Sequence, residues 1–331
     1  MIQNQSEDRC EPWWLRHIRP CADGKGITLH TRGLRDSFDG LSPRELWRVF
    51  RLILMSRKYD WVLTPQDGLS TISFGLAARL LPFHKPRHAV LEFLTREEGA
   101  SLYDKLKYAL LRFSLKDVDR LICSSHGEME YYQEHLGLRR EQMGFVLLGG
   151  DPAWITPRCP EIQDYIVSAG RTLRDYETLL KAVDGTSLRL VVVTSPACLS
   201  RISVPHNVDV YFDIEPSHLS RLIEHARFVV LPLQNRKVSC GQRVLLMAMA
   251  EGKCCVVSRV PGMLDYIRDG EDGIFVEPYD VPGIRATMTD LWQDNDKIAA
   301  IGEQARASFE SKYRIEHHAG AVLRALQRSP S

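Results

Sequence analysis

The stretch between residues 228 and 262 constrains the fold most, because it carries the complete pattern of a strand, a helix and a second strand. Residues 228–231 are a continuous apolar run that ends at a proline, as is typical of a buried strand. Residues 243–251 follow a helical pattern, and residues 254–257 form another short apolar run. A helical crossover between two such strands is typical of parallel pairing, so the stretch predicts a parallel α/β sheet.

A polar loop separates the first strand of this unit from its helix. We expect Ser239 to cap the N-terminus of the helix and Gly252 to follow its C-terminus. In a parallel sheet this N-terminus lies at the edge where ligands bind, and its backbone amides attract anions. Gly241 would let an anion approach the backbone closely. The residues expected to line this anion site are Lys237, Ser239, Cys240, Gly241, Gln242 and Arg243. We infer that a phosphate group binds there.

Strand patterns alternate with helix patterns along most of the chain, which predicts an α/β fold of two doubly wound, Rossmann-like domains. In the first half we expect strands at 27–31, 61–64, 89–94, 121–123 and 145–148, and helices at 42–58, 69–81, 102–116 and 126–136. In the second half we expect strands at 165–169, 188–193, 208–212, 228–231, 254–257 and 274–276. We expect helices at 176–183, 217–225 and 243–251, and further helical segments from after the last strand to about residue 328. The expected domains are residues 1–152 and 165–331, joined by a linker over 153–164, with a ligand-binding cleft between them.

The composition excludes several classes of protein. The 331 residues are 44% hydrophobic and 26% charged, which is typical of a folded globular chain. A net charge of +1 gives no reason to expect a nucleic-acid partner. The eight cysteines have no metal-ligand spacing, and several lie in predicted strands, which indicates reduced thiols in a cytoplasmic protein. We expect neither a signal peptide nor a membrane-spanning segment.

Several segments resemble the motifs of one enzyme family. They are LLGGDP at 147–152, SAGRTLRDY at 168–176, LMAMAEGK at 246–253, VPG at 260–262 and DGEDGI at 269–274. In this order they resemble the donor domain of the retaining GT-B glycosyltransferases of family four. The resemblance implies transfer of a sugar from a UDP-, GDP- or ADP-linked donor to a hydroxyl of a glycan or lipid-linked acceptor. It also implies retention of configuration, no metal and no other cofactor, and a setting in cell-envelope or exopolysaccharide assembly.

The resemblance assigns roles to individual residues. Arg171, which follows Gly170 at a predicted strand end, would bind the donor diphosphate bidentately; the alternative is a surface arginine paired with Asp175. Arg174 is a further candidate cation, and the base would stack near the aromatic residues 211–212. The expected donor-binding residues are Gly170, Arg171, Arg174, Phe212, Ser239, Cys240, Gly241, Gln242 and Arg243. The expected catalytic residues are Arg171, Ser239 and Gln242.

The chain also departs from the family pattern. Two glutamates eight residues apart are usual, one for the sugar and one for the ribose, whereas Ser239 and Met247 occupy these positions here. A thioether is too weak an acceptor to hold a ribose hydroxyl, so we interpret Met247 as a core residue. The departure leaves two alternatives to a transferase open. One is a catalytically silent GT-B protein that binds a sugar nucleotide or a partner enzyme, and the other is an epimerase of the same fold.

The first half offers three candidate residues for contacting the acceptor. Asp67 and Glu92 follow or end predicted strands, and His126 begins a predicted helix. Each also has a structural interpretation: a turn residue for Asp67, a solvent-exposed carboxylate for Glu92 and a capping imidazole for His126.

The predicted helix at 102–116 is basic and amphipathic, and the basic segment 84–88 could lie on the same side. Such helices rest on anionic membrane surfaces, so we expect peripheral contact with the inner face of the membrane. The alternative is a helix that covers the domain core, with lysine side chains extending to water.

Overall fold

The computed structural model describes residues 54, 59–64, 71–72, 74–76, 79, 86–91, 93, 99, 101–155 and 161–327. The elements predicted at 27–31 and 42–58, and the candidate residues Asp67 and Glu92, lie outside these residues. Within the described part of the chain, no helix has the length and apolar character needed to cross a membrane.

The described residues divide into two compact units. The N-terminal unit contains the described residues up to Val146 together with those from Glu316 onward, and the C-terminal unit is Leu147–Ile315. The sequence placed the linker at 153–164 and the whole C-terminus in the second domain. The observed division differs at both points, because the second unit begins at Leu147 and the last helix is counted with the first.

The N-terminal unit contains a parallel sheet whose described strands are in the order β1-β2-β3-β4. The strands are β1 (Trp61–Thr64), β2 (Arg87–Val90), β3 (Arg120–Cys123) and β4 (Met143–Phe145). The helices of this part are α1 (Leu102–Leu115) and α2 (His126–Leu136). Ser101 and Ser125 accept the capping bonds at their N-termini, and Gly137 ends α2 with a φ of 67°. The described positions within the helix predicted at 69–81 are helical.

The C-terminal unit contains a six-stranded parallel sheet in the order β10-β9-β8-β5-β6-β7. The strands are β5 (Ile166–Ala169), β6 (Leu190–Thr194), β7 (Val208–Phe212), β8 (Phe228–Leu231), β9 (Cys255–Ser258) and β10 (Ile274–Val276). The helices are α3 (Tyr176–Val183), α4 (Pro196–Leu199), α5 (Pro216–His225), α6 (Gln242–Ala250), α7 (Val281–Gln293) and α8 (Asn295–Ser308). The last helix of the described part of the chain is α9 (Ile315–Gln327), which from Glu316 onward is counted with the N-terminal unit.

Both faces of this second sheet are buried. Along β8, Val229 and Leu231 belong to one apolar cluster, whereas Phe228 and Val230 belong to the other. Consecutive side chains of a strand point to opposite faces, so a strand buried on both sides must be apolar throughout. This requirement explains why β8 is a continuous apolar run in the sequence, whereas the edge strand β7 is partly exposed and contains Asp209.

The start of α6 corrects one sequence expectation. Ser239 was expected to cap this helix, but the helix begins at Gln242 and its capping position is Gly241, with a φ of 93°. A left-handed turn at Gly241 places Ser239 two residues before the cap, where it is buried. At the other end, Gly252 has a φ of 67° and follows the final turn as expected.

Candidate functional site

The C-terminal sheet changes its winding direction between β5 and β8. These strands are neighbours, but from β5 the chain continues to β6 on one side, and from β8 it continues to β9 on the other. The loops that leave the carboxyl ends of two such strands separate and create a crevice, which is where open α/β sheets bind ligands. The candidate site is therefore built from the loop after β5 (170–175) and the loop after β8 (232–241).

Backbone hydrogen bonds hold these two loops together. The Gln234 amide donates to the Leu173 carbonyl, and the Asp175 amide donates to the Pro232 carbonyl, each at 3.0 Å. An isolated antiparallel bridge between Arg174 and Leu233 lies between these bonds. The position of Arg174 relative to the second loop is thus set by the main chain.

Gly170 occupies a conformation and a space that other residues would not tolerate. Its φ is +124°, and a Cβ atom here would lie 2.3 Å from the Arg174 Nη2 atom. Its carbonyl accepts hydrogen bonds from the Tyr176 hydroxyl at 2.7 Å and the Thr194 hydroxyl at 2.8 Å. Burial raises the pKa of Tyr176, so this phenol keeps its proton and remains a donor. The absent side chain leaves room for the Arg174 guanidinium beside the strand end.

The Arg174 guanidinium bridges the two loops. Its Nε donates to the Ala169 carbonyl at 2.9 Å, and its Nη1 donates to the Thr172 carbonyl at 3.0 Å. The same Nη1 lies 4.0 Å from the Cys240 sulfur, directly before the start of α6. A fixed cation next to a helix N-terminus produces a positive potential at one point, which suits an anion.

Arg171 lies on the other side of the loop, toward β7. Its Nη2 atom is 2.8 Å from the Asp213 carboxylate, and both side chains are exposed. It therefore does not pair with Asp175, as the alternative interpretation proposed. The side chain of Asp175 instead caps α3 by accepting from the Thr178 amide.

Close packing joins the loop after β8 to the loop after β9. Gln242 is buried, and its side-chain amide donates to the Gly262 carbonyl at 3.0 Å. A Cβ atom on Gly262 would lie 2.9 Å from the Ser239 Cα, and one on Gly241 would lie 2.8 Å from the Met263 side chain. Gln242 thus faces the interior of this loop pair, where it determines the position of the α6 N-terminus.

Backbone strain is concentrated at the same edge of the sheet. Among the described residues, the non-glycine positions with positive φ are Leu173, Asp213 and Tyr279. They lie in the loops that follow β5, β7 and β10, all at the carboxyl edge. Tyr279 also accepts a hydrogen bond from the Asn235 amide at 2.9 Å. Strained residues cluster where a fold positions groups for a ligand, which supports this edge as the functional one.

Comparison with known proteins gives a family match for one part of the chain. Residues 163–294 match the family model described as glycosyl transferases group 1. The matched segment contains the crevice described above, from β5 through β10.

One curated relative is similar to a part of this chain, and two solved structures are similar to its fold. N-acetyl-alpha-D-glucosaminyl L-malate synthase of Bacillus anthracis is 36% identical over 84 residues, which is 25% of this chain and only 22% of that relative's length. Sucrose-phosphate synthase from Thermosynechococcus elongatus has a TM-score of 0.70 at 17% identity, over 90% of this chain and 85% of that one. Anabaena HepE, solved with UDP-glucose, has a TM-score of 0.71 at 13% identity, over 93% and 88%. The predicted α/β fold with two Rossmann-like, GT-B-type domains is confirmed.

The remaining candidate residues of the segment 163–294 lie around the crevice. Tyr211 and Phe212 are exposed at the carboxyl end of β7. Arg236, Lys237 and Arg243 are exposed on the second loop and the first turn of α6. Met247 is partly buried and packs against the core, as its interpretation as a core residue requires. Within the described part of the chain, no group of three or more His, Cys, Asp and Glu side chains is placed to hold a metal ion.

In the N-terminal unit, His126 is the first residue of α2 and is exposed, with its ring 4.1 Å from the Phe145 ring. The capping role falls to Ser125, whose hydroxyl accepts from the Glu128 amide at 3.1 Å. Glu128 in turn accepts from the Ser124 amide and hydroxyl, each at 2.9 Å. His126 therefore lies at the carboxyl end of β3, and its neighbours Ser125 and Glu128 hold the helix start.

Sequence reasoning missed Tyr176 and Thr194 as residues that position the site, and it expected a catalytic role for Gln242 in place of a positioning one. Tyr176 and Thr194 hold the Gly170 carbonyl, and Gln242 holds the Gly262 carbonyl. A signal for Tyr176 was present, because a tyrosine in the first turn of a helix that follows a strand-end glycine can reach back to that glycine. The contact between residues 242 and 262 depends on tertiary packing and left no such signal.

Proposed function

We propose that this protein is a glycosyltransferase that moves a sugar from a nucleoside-diphosphate sugar to a hydroxyl acceptor. The donor diphosphate binds at the carboxyl edge of the C-terminal sheet, between the loop after β5 and the start of α6. One observation carries this proposal: the Arg174 guanidinium is fixed where the sheet changes its winding direction, beside the N-terminus of α6. The match of residues 163–294 to the group 1 glycosyl transferases supports the assignment.

The proposed chemistry follows from the charge that develops during transfer. As the bond between the sugar and the diphosphate breaks, negative charge accumulates on the leaving phosphate. Arg174 and the amides at the start of α6 would stabilise that charge without having to reorganise, which is the main source of rate enhancement in such reactions. Arg171 would join them by exchanging Asp213 for the diphosphate. This cationic and backbone set supports a reaction that does not depend on a metal ion, and retention of configuration is what the family resemblance implies.

Two of the expected catalytic residues receive different roles in this proposal. Gln242 is a positioning residue, because its amide is already bonded to the Gly262 carbonyl. Ser239 is buried against Gly262 and contributes through the loop backbone. The nucleotide base is proposed to stack near Tyr211 and Phe212. In the N-terminal unit, His126 is proposed to contact the glycan or lipid-linked acceptor. The pathway that we propose is glycan assembly at the cell envelope.

A silent, donor-binding protein is the second candidate. The observation that favours it is that Ser239 and Met247, at the positions of the two family glutamates, are respectively buried and packed on the core. Neither supplies a carboxylate for the sugar or the ribose.

The experiment that separates the two candidates is a donor panel. The full chain is incubated with UDP-, GDP- and ADP-sugars, with and without glycan or lipid-linked acceptors, and released nucleotide and product are measured. A transferase forms product with at least one donor, and the anomeric configuration of that product tests retention. Donor binding without product or hydrolysis for any combination would favour the silent protein, and no binding at all would contradict both.

A further inference from the structure

Helix α1 of the N-terminal unit has two apolar faces. Tyr108, Leu111 and Leu115 are buried in the unit. The opposite side exposes a stripe of four large apolar side chains, which are Leu102, Leu106, Leu110 and Phe113. Leu102 is 75% exposed and Leu106 is 63% exposed. Their spacings of four, four and three residues place them on one side of the helix, directly opposite the core.

Basic side chains border this stripe. Lys105, Arg112 and Lys116 are exposed along one side, and Lys107 is half-buried along the other. The acidic residue of the helix, Asp104, lies on the side that faces the core, where its backbone amide donates to the Ser101 hydroxyl. The segment 101–116 therefore combines an exposed apolar stripe with a net positive charge.

A further cation reaches the stripe from another helical segment. The Arg79 guanidinium lies 4.3 Å from the centre of the Phe113 ring, and its Nη1 donates to the Phe113 carbonyl at 3.2 Å. Arg79 also pairs with Asp117 at 3.7 Å, beyond the end of the helix. The aromatic end of the stripe is thus bordered by an arginine whose charge is paired with an exposed carboxylate.

We propose that this α1 face, the stripe of Leu102, Leu106, Leu110 and Phe113 with its flanking cations, docks on an anionic lipid bilayer. The apolar side chains would enter the boundary between headgroups and acyl chains while the cations meet the lipid headgroups. One helix of this length supplies weak, reversible binding that depends on salt.

Charge and size argue against a second copy of the chain as the occupant. Two such faces would bring cations of the same sign together, which is unfavourable. A face about 20 Å long and about 10 Å wide offers on the order of 200 Å². A stable protein interface buries about 800 Å² on each partner.

The test is co-sedimentation of the full chain with phosphatidylcholine vesicles, with and without about one-third phosphatidylglycerol. We expect binding to the anionic vesicles, little binding to the neutral ones, and loss of binding in 1 M salt, where charges are screened within about 3 Å. The double variant Leu102→Gln/Leu106→Gln should bind the anionic vesicles at least tenfold more weakly. The charge variant Lys105→Glu/Lys116→Glu should do the same.

Matched controls keep the result specific. Ile162→Gln changes another large apolar side chain, 51% exposed, in the C-terminal unit, and Lys312→Glu reverses another exposed lysine. Both should bind vesicles like the wild type, and thermal unfolding should verify that all variants are folded. Absence of vesicle binding by the wild type, or unchanged binding by the α1 double variants, would overturn the proposal. A dimer that Leu102→Gln/Leu106→Gln dissociates, without vesicle binding, would also overturn it and assign the face to a second copy. Donor binding, measured without vesicles, reports separately on the proposed transferase.

Discussion

At the scale of single residues, two arginines of one loop have different surroundings. Arg174 is held by the carbonyls of Ala169 and Thr172 and has little freedom to move. Arg171 forms an exposed ion pair with Asp213, and such pairs contribute only about 0–1 kcal/mol. The Arg174 guanidinium is therefore preorganised to bind an anion, whereas Arg171 can exchange Asp213 for another partner at small cost in free energy.

Replacing Gly170 by alanine tests how Arg174 is positioned. The new Cβ would collide with the Arg174 guanidinium, and alanine rarely adopts the backbone φ of +124° found at this position. We therefore expect a loss of about 1–3 kcal/mol in unfolding free energy and at least tenfold weaker donor binding. Gly185→Ala is the control, because Gly185 has a φ of +69° with open space around it. It should lose about 1 kcal/mol by urea unfolding and keep its donor affinity. Equal donor affinities in the two variants would show that Gly170 does not hold the site.

A pair of similar ion pairs tests Arg171. Arg171 and Asp213 lie at the carboxyl edge of the sheet, while Arg189 and Asp209 form an equally exposed pair, at 2.9 Å, at the opposite, amino edge of the same sheet. Arg171→Ala should weaken donor binding about tenfold in calorimetry, because it removes a charge-assisted contact. Arg189→Ala should stay within about twofold of the wild type. Indistinguishable variants would remove Arg171 from the binding site.

Residue-level expectations from sequence succeeded where the geometry is local. Gly252 was expected to follow the last turn of α6, and it does so with a φ of 67°. Gly241 as a point of close anion approach stays a prediction. The cap at Ser239 was wrong, because the left-handed turn at Gly241 moves the helix start by a fraction of a turn that no side-chain pattern records. Asp213 as the partner of Arg171 could not be predicted, since the two are brought together only by strand pairing.

At the scale of elements, the loops that follow neighbouring strands determine the candidate site. The loop after β5 is hydrogen-bonded to the loop after β8. Directly after that second loop, the Gln242 side chain donates to the Gly262 carbonyl in the loop after β9. Periodicity predicted most elements within one or two residues: β7, β8, β10, α2 and α3 have the expected bounds. β4 was expected at 145–148 but is Met143–Phe145, and the second unit begins two residues later, at Leu147.

Gln242→Leu tests the fastening of α6. The substitution leaves the Gly262 carbonyl without its side-chain donor, so we expect a loss of about 1–3 kcal/mol in unfolding free energy and weaker donor binding. Gln142→Leu is a matched control in the N-terminal unit, where that buried amide donates to the Lys116 and Val118 carbonyls. It should lose a similar amount of stability with unchanged donor affinity. If Gln242→Leu bound donor like Gln142→Leu, the positioning role would be wrong.

Strand β2 should make the N-terminal unit sensitive to acid. Burial lowers the pKa of His88 from 6.5 to about 3, and its ring nitrogen lies 2.9 Å from the Thr64 hydroxyl. Because only the unfolded chain takes up the proton between these values, stability is full above about pH 6.5 and falls as pH decreases toward 3. By pH 5 the loss is about 2 kcal/mol, measurable by urea unfolding at each pH. His88→Gln should lack this part of the slope; an unchanged slope would assign it to other groups.

At the scale of the whole molecule, two parallel sheets account for the length and alternation of the chain. Alternating strand and helix patterns were enough to predict this class, because parallel strands need crossovers. The strand order β10-β9-β8-β5-β6-β7 was not predictable, since it depends on which strands pair. The assignment of the residues after Ile315 to the N-terminal unit was not predicted either. The sequence of a terminal helix does not indicate which unit it packs against.

The central claim is that Arg174, fixed where the C-terminal sheet changes its winding direction, binds the donor diphosphate. Calorimetric titration with UDP-, GDP- and ADP-glucose tests this claim most directly. Wild type, Arg174→Ala and the control Arg189→Ala are compared, with thermal unfolding to verify folding. We expect the wild type and Arg189→Ala to bind one of these donors alike, and Arg174→Ala to bind it at least tenfold more weakly, because a charged hydrogen-bonding partner is lost. Equal affinity of Arg174→Ala and the wild type would contradict the account.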